Sequence, residues 1–139
     1  MEKKIIGFTS GVFDMFHIGH LNILKQAKDK CDYLIVGVST DECVKSYKHR
    51  LPIIPFEQRA AIVAAIKYVD EVIPQETMDK LEILKKYHFD IMFHGNEWKN
   101  TPLYNRYEKE FANYGVRIEF LKHTDGISSS LLREKIHHD

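Results

Sequence analysis

Short continuous hydrophobic runs alternate with stretches of helical period from one end of the chain to the other. The first run, residues 3–9 (KKIIGFT), is apolar and rich in isoleucine and breaks at Ser10-Gly11, which predicts a buried strand ending in a turn. From Ile18 to about Lys30, Leu21, Leu24 and Ala27 recur at helical spacing among Lys and Gln, so one face of a helix is buried. The period then changes: Tyr33 to Val38 is an unbroken apolar run of strand length, the pattern of a parallel strand covered on both faces. Ser39 to Arg50 is polar and lysine-bearing and is followed by Pro52 and Pro55, which predicts a loop or short helix over the sheet edge, a candidate mobile lid.

The alternation continues with a helix over Phe56–Tyr68, a strand at Val69–Ile73, a helix over Thr77–Tyr87 and a strand at Asp90–Phe93. A helix over Leu103–Tyr114, ended by Gly115, a strand at Val116–Leu121 and a helix over Ile127–Ile136 complete the chain. Five strands alternating with helices predict right-handed crossovers and a single α/β domain over residues 1–139. Its architecture is a Rossmann-like, doubly wound parallel five-stranded sheet with helices on both faces and a ligand site outside the carboxyl ends of the strands. No internal repeat, linker or low-complexity segment interrupts it.

Composition narrows the classes. The 139 residues suit one domain, and 44% hydrophobic with 29% charged residues is ordinary for a folded globular protein. Twenty Lys and Arg balance twenty Asp and Glu, so no overall field favours nucleic acid, and phosphate binding has to be local. Cys31 and Cys43 form neither a CxxC pair nor part of a ligand cluster and read as packing thiols of a reduced protein. No stretch of about 18 apolar residues occurs, and the first residues do not form a leader, so no membrane association and a cytoplasmic location are expected. His137 and His138 read as tail residues.

The sharpest chemistry lies in GVFDMFHIGH (11–20), a loop that leaves the first strand and enters the first helix. Backbone N–H groups and the helix dipole favour phosphate there. His17 and His20 are three apart and share a helix face, and Gly19 between them leaves room for close backbone approach. Donors fixed where charge develops are what phosphoryl-type transfer needs, because its catalysis is positioning and electrostatic stabilisation. Ser128 to Ser130 open the last helix, and capping and phosphate binding use the same N–H groups.

The pattern GxFDxxHxGH after a first strand resembles the HxGH nucleotidyltransferase superfamily, and within it the small cytidylyltransferases, above all those acting on glycerol 3-phosphate. The similarity extends to DYLIVGVSTDE (32–42), FEQR (56–59), KYVDEVI (67–73), HGNEW (94–98) and TDGISSS (124–130), in order. HIGH also occurs in class I aminoacyl-tRNA synthetases, whose tRNA-binding parts 139 residues cannot hold.

The resemblance implies that a phosphorylated acceptor attacks the α-phosphorus of CTP, giving a CDP-alcohol and pyrophosphate with no covalent enzyme intermediate. It implies that His17, His20 and Lys48 are catalytic. Ser10, Gly11, Phe13, Asp14 and Gly19 would touch the nucleotide, with Gly95, Asn96, Glu97 and Trp98 lining the base pocket. Ser128 and Ser129 would hold the β- and γ-phosphates, His123, Thr124 and Ile127 would also touch the nucleotide, and Lys45, Arg59 and Lys67 would bind the acceptor. Magnesium is implied with the triphosphate although no dedicated metal cage is visible, and a homodimer paired near KYVDEVI is implied. His123 and Lys67 stand where these enzymes carry arginine, and HGNEW stands for HGDDW. The acceptor stays open among glycerol 3-phosphate, phosphoethanolamine, phosphocholine and other polyol phosphates. An adenylyltransferase using ATP, or a silent nucleotide-binding domain, are the alternative readings.

Overall fold

The computed structural model describes residues 3–124 and 126–138, with the side chains of His137 and His138 outside the described set. Strands β1 (Ile6–Gly11), β2 (Tyr33–Ser39), β3 (Glu71–Gln75), β4 (Ile91–Gly95) and β5 (Arg117–Leu121) form one sheet. Its order is β3-β2-β1-β4-β5, and all four pairings are parallel. Six helices join them: α1 (Ile18–Lys28), α2 (Asp41–Lys48), α3 (Phe56–Ala64), α4 (Lys80–Tyr87), α5 (Pro102–Ala112) and α6 (Ser129–His138). No helix among the described residues is long and apolar enough to cross a membrane.

The two-residue period of β2 divides the core. Leu34, Val36 and Val38 pack with Leu24 and Ala27 of α1 and Val63 of α3, whereas Ile35 faces Ile83 and Leu84 of α4 and Tyr107 and Phe111 of α5. α1 and α3 therefore cover one face and α4 and α5 the other, as a parallel sheet requires. The strand order reverses between β1 and β4, so the crevice at their carboxyl ends is left open by the helices.

Local chemistry sets the boundaries. β1 runs on through Ser10 and Gly11, the residues expected to turn, because Gly37 and Val38 of β2 are aligned with them. The segment expected as a loop or short helix is α2: Thr40 caps it by accepting from the Cys43 N–H, and Asp41 and Glu42 occupy its positive end. Asp79 accepts from the Leu81 N–H and starts α4 at Lys80, three residues later than the periodicity suggested. Thr101 caps α5 with Pro102 in the first turn, and Gly115 turns the chain at φ 72° before β5. β3 is an edge strand, and Pro74 sits inside it opposite Val38. A strand accepts a residue without an N–H only where that nitrogen faces outward.

Candidate active site

Two adjoining clefts open at the switch point. One, of about 260 Å³, is lined by Asp14, His20, Lys48, Arg50, Ser128 to Ser130 and Arg133, with Val44, Leu51 and Pro52 on its wall. The other, of about 170 Å³, is lined by Thr9, Ser10, Gly11, Ile23, His94, Gly95, Glu97 and His123. Val12, Phe13 and His20 belong to both, so His20 stands at the junction.

The histidines build the start of α1. His17 is the N-cap: its Nδ1 accepts from the Gly19 N–H at 3.0 Å, while His20 Nδ1 accepts from the His17 N–H at 3.2 Å. The rings stack with centroids 3.9 Å apart, and Phe13 and Phe16 pack against His20. A nitrogen that accepts a backbone N–H carries no proton, so both rings are neutral with the hydrogen on Nε2. Burial, then the neighbouring His17, push His20 down to about 4, against a smaller opposing pull from Asp14. Burial and His123 likewise lower His17. A Cβ at position 19 would lie 2.8 Å from His17 Cε1, so the glycine is what lets the first ring fold back onto the helix start.

Asp14 ties this loop to its surroundings. Its carboxylate accepts from the N–H groups of Ile53 and Ile54, each at 2.9 Å, and from Arg133 Nη2 at 2.7 Å, while Ser129 Oγ donates to its carbonyl. Phe13 and Met15 on either side sit at φ 55° and 49°, a conformation costing on the order of 1 kcal/mol or more each, which this network holds in place. Among the described residues no three His, Cys, Asp or Glu side chains gather as a metal site.

The larger cleft is positive. Lys48, Arg50 and Arg133 face one carboxylate, and burial followed by Arg50 and Arg133 lowers Lys48, with Asp14 partly opposing them. Ser128 Oγ caps α6 by accepting from the Leu131 N–H, so the helix N-terminus adds its dipole to the same cleft.

The structure brings together most of the residues the sequence singled out. Ile127 approaches Gly19, and Thr124 accepts from Asn22 of α1 at 2.9 Å, beside the cleft rather than in it. Lys45, Asn96 and Trp98 are exposed and line neither cleft, although Trp98 rests against His94 and Tyr104. Lys67 lies before β3 at the opposite end of the sheet, over the Tyr68 ring. Arg59 departs furthest from the expected free clamp. It is 1% exposed, and its guanidinium donates to the carbonyls of Ile54, Val12 and Ser39 and to Asp41 Oδ1.

Three functional candidates escaped the sequence reading. Lys80 is buried, its partners among the described residues are the neutral Ser10 Oγ at 2.7 Å and Gln75 Oε1 at 3.4 Å, and burial pushes it down to about 8. His94 stacks on Tyr104, and burial, then Lys80, push it down to about 4. Arg133 reaches the cleft from α6, one turn beyond Ser129.

Comparison with known proteins places this architecture. A model of the cytidylyltransferase-like family matches residues 8–135. The glycerol-3-phosphate cytidylyltransferase of Staphylococcus aureus is 32% identical over 136 residues, 97% of this chain and 96% of that protein. The FAD synthase of Thermococcus kodakarensis is 36% identical over 143 residues, 97% of this chain and 93% of that protein. The ethanolamine-phosphate cytidylyltransferase of Mus musculus is 40% identical over 145 residues, but the match takes in 99% of this chain and 35% of that longer protein. A parallel sheet reversed at β1/β4, paired histidines at its mouth and a family match over residues 8–135 agree: this chain belongs to the cytidylyltransferase-like family.

Proposed function

We propose that the chain transfers the cytidylyl group of CTP to the phosphate of a small phosphorylated alcohol, glycerol 3-phosphate first among them, releasing pyrophosphate. The observation that carries this reading is the pair of stacked neutral histidines, whose Nε2–H groups meet no partner among the described residues, beside a cleft holding three cations and one carboxylate. Relatives named for this reaction align over nearly the whole chain.

In this reading the β- and γ-phosphates lie in the larger cleft, against Lys48, Arg50, Arg133 and the start of α6. Cytidine occupies the smaller one, where the Glu97 carboxylate can accept from the exocyclic amino group of the base. The α-phosphate then falls at the junction, within reach of His17 and His20. An acceptor phosphate oxygen attacks the α-phosphorus in line, one P–O bond forms, and the bond to the β-phosphate oxygen breaks with its electron pair leaving on pyrophosphate. No proton has to move, so two neutral Nε2–H donors suffice to stabilise the charge on the five-coordinate phosphorus. Lys80, hydrogen-bonded to Ser10 at the floor of the smaller cleft, adds positive potential beneath the nucleotide. Magnesium bound with the triphosphate would offset its negative charge, beside the Asp14 carboxylate of the larger cleft.

One relative is a FAD synthase of similar length, which supports a second reading in which ATP replaces CTP. Adenine also presents an exocyclic amino group to Glu97. Pyrophosphate release with magnesium, crossing CTP, ATP, UTP and GTP against a panel of phosphorylated alcohols, separates them. The expected result is release with CTP and glycerol 3-phosphate. Release with ATP alone transfers the assignment to adenylyl transfer, and nucleotide binding without release transfers it to a binding domain. Pairing of two copies near residues 67–73 belongs to the same reading, and light scattering is expected to return about twice 16.3 kDa.

A further inference from the structure

The segment joining α2 to α3 crosses the wall of the phosphate cleft, contributing Arg50, Leu51 and Pro52. It is poorly supplied with backbone partners: Pro52 has no N–H, and Leu51 and Ile53 are exposed. Among the described residues, the hydrogen bonds that hold 50–54 come from two buried charges. Asp14 takes the N–H groups of Ile53 and Ile54, and Arg59 Nε takes the Ile54 carbonyl at 2.8 Å. Ile54 is thus gripped at its N–H by a carboxylate and at its C=O by a guanidinium.

The remaining donors of Arg59 extend the grip. Nη1 reaches the carbonyls of Val12, in the catalytic loop, at 2.7 Å and of Ser39, at the end of β2, at 2.8 Å. Nη2 reaches Asp41, in the first turn of α2, at 2.6 Å. A fully buried guanidinium with four bonds to four segments has no face left to clamp a substrate phosphate. Those four segments carry the histidine loop, Lys48 and Arg50.

We propose that Arg59 is a positioning residue that latches the 50–54 strap and the α2 start onto the catalytic loop, so that Lys48 and Arg50 face the phosphate cleft. It acts on the nucleotide only through these segments. The planar fork is essential, because a lysine ammonium in the same place cannot span four acceptors that lie around it.

Arg59→Lys tests this with two readouts. Amide exchange at Ile53 and Ile54 in the free protein is expected to quicken by about tenfold, while Leu34 and Val36 in β2 keep their protection. The KM for CTP is expected to rise by about tenfold, with kcat changed less, as misplacing a charge-assisted contact predicts. The kinetic arm rests on the proposed reaction and the exchange arm does not, so failure of one reading is distinguishable from failure of the other. Unchanged exchange at Ile53 and Ile54 would overturn the proposal, as would exchange quickened equally throughout β2. A rise confined to the KM for the acceptor, with exchange unchanged, would return Arg59 to the role of acceptor clamp. Should Arg59→Lys not fold, Asp41→Asn removes one partner at the half-exposed rim and is expected to move both readouts the same way by a smaller amount.

Discussion

Replacement of His20 by alanine is expected to lower kcat by about three orders of magnitude, the scale set by removing a donor aimed at developing charge in a site that excludes water. Alanine also removes the Nδ1 acceptor that caps the His17 N–H, at a cost of about 1 kcal/mol in stability. His20→Asn separates the two losses. Its amide oxygen stands where Nδ1 stands and can keep the cap, but nothing remains at the position of Nε2. Asparagine should therefore melt close to the parent protein and be as inactive as alanine. Steady-state kinetics and thermal melting check this together, and substantial turnover by the asparagine variant would remove His20 from the chemistry.

The second large effect concerns Lys80. In the unfolded chain this amine titrates near 10.5, and in the folded protein burial brings it down to about 8. Below the folded value, the protein holds a buried ammonium against neutral partners at a cost on the order of 3 kcal/mol. Between about 8 and 10.5 the unfolded chain binds more protons, so stability climbs as pH rises through that window. Lys80→Met is expected to raise stability at pH 7 by about 1–2 kcal/mol, some gain being lost to the stranded Gln75 oxygen, and to remove that pH dependence. Activity should move the other way, with kcat/KM for CTP falling by about a hundredfold once the positive floor beneath Ser10 is gone. Melting curves at several pH values and initial rates test the pair. A variant both less stable and fully active would sink it.

The architecture was legible because each element carries its own period. Leu34, Val36 and Val38 alternate with Ile35 across one strand, and Leu24 and Ala27 are three apart on one helix, so strand and helix could not be confused. The histidine loop was legible because its spacing is short and local. What failed was the reading of long charged side chains. Lys80 lies on the stripe of Ile83, Leu84 and Tyr87, and Arg59 on that of Val63 and Ile66, yet the sequence reading leaves Lys80 unassigned and the resemblance gives Arg59 to the acceptor. A helix starting at the carboxyl edge of a parallel sheet points its first inward residues at carbonyls and hydroxyls at and around the strand ends, which supply both partners of Lys80 and three of the four bonds of Arg59. Arg133, four residues after Ser129, is instead held by the Asp14 carboxylate. His94 shares the strand face of Met92, which sets it under Tyr104. Trp98 could not be placed, because the three-residue turn 96–98 carries no periodicity.

Pro74 in the free edge of β3 has a bearing on how the protein behaves at high concentration. An exposed parallel edge is a template on which a foreign strand, or a second copy, can grow by backbone pairing. The missing donor breaks that template at the fourth position of a five-residue strand, leaving few consecutive sites for a ladder. Growth of a cross-strand ladder from this edge is thereby disfavoured. Two molecules that meet on this side of the sheet have to recognise one another through side chains, so their association can be tuned by substitution without disturbing the sheet itself.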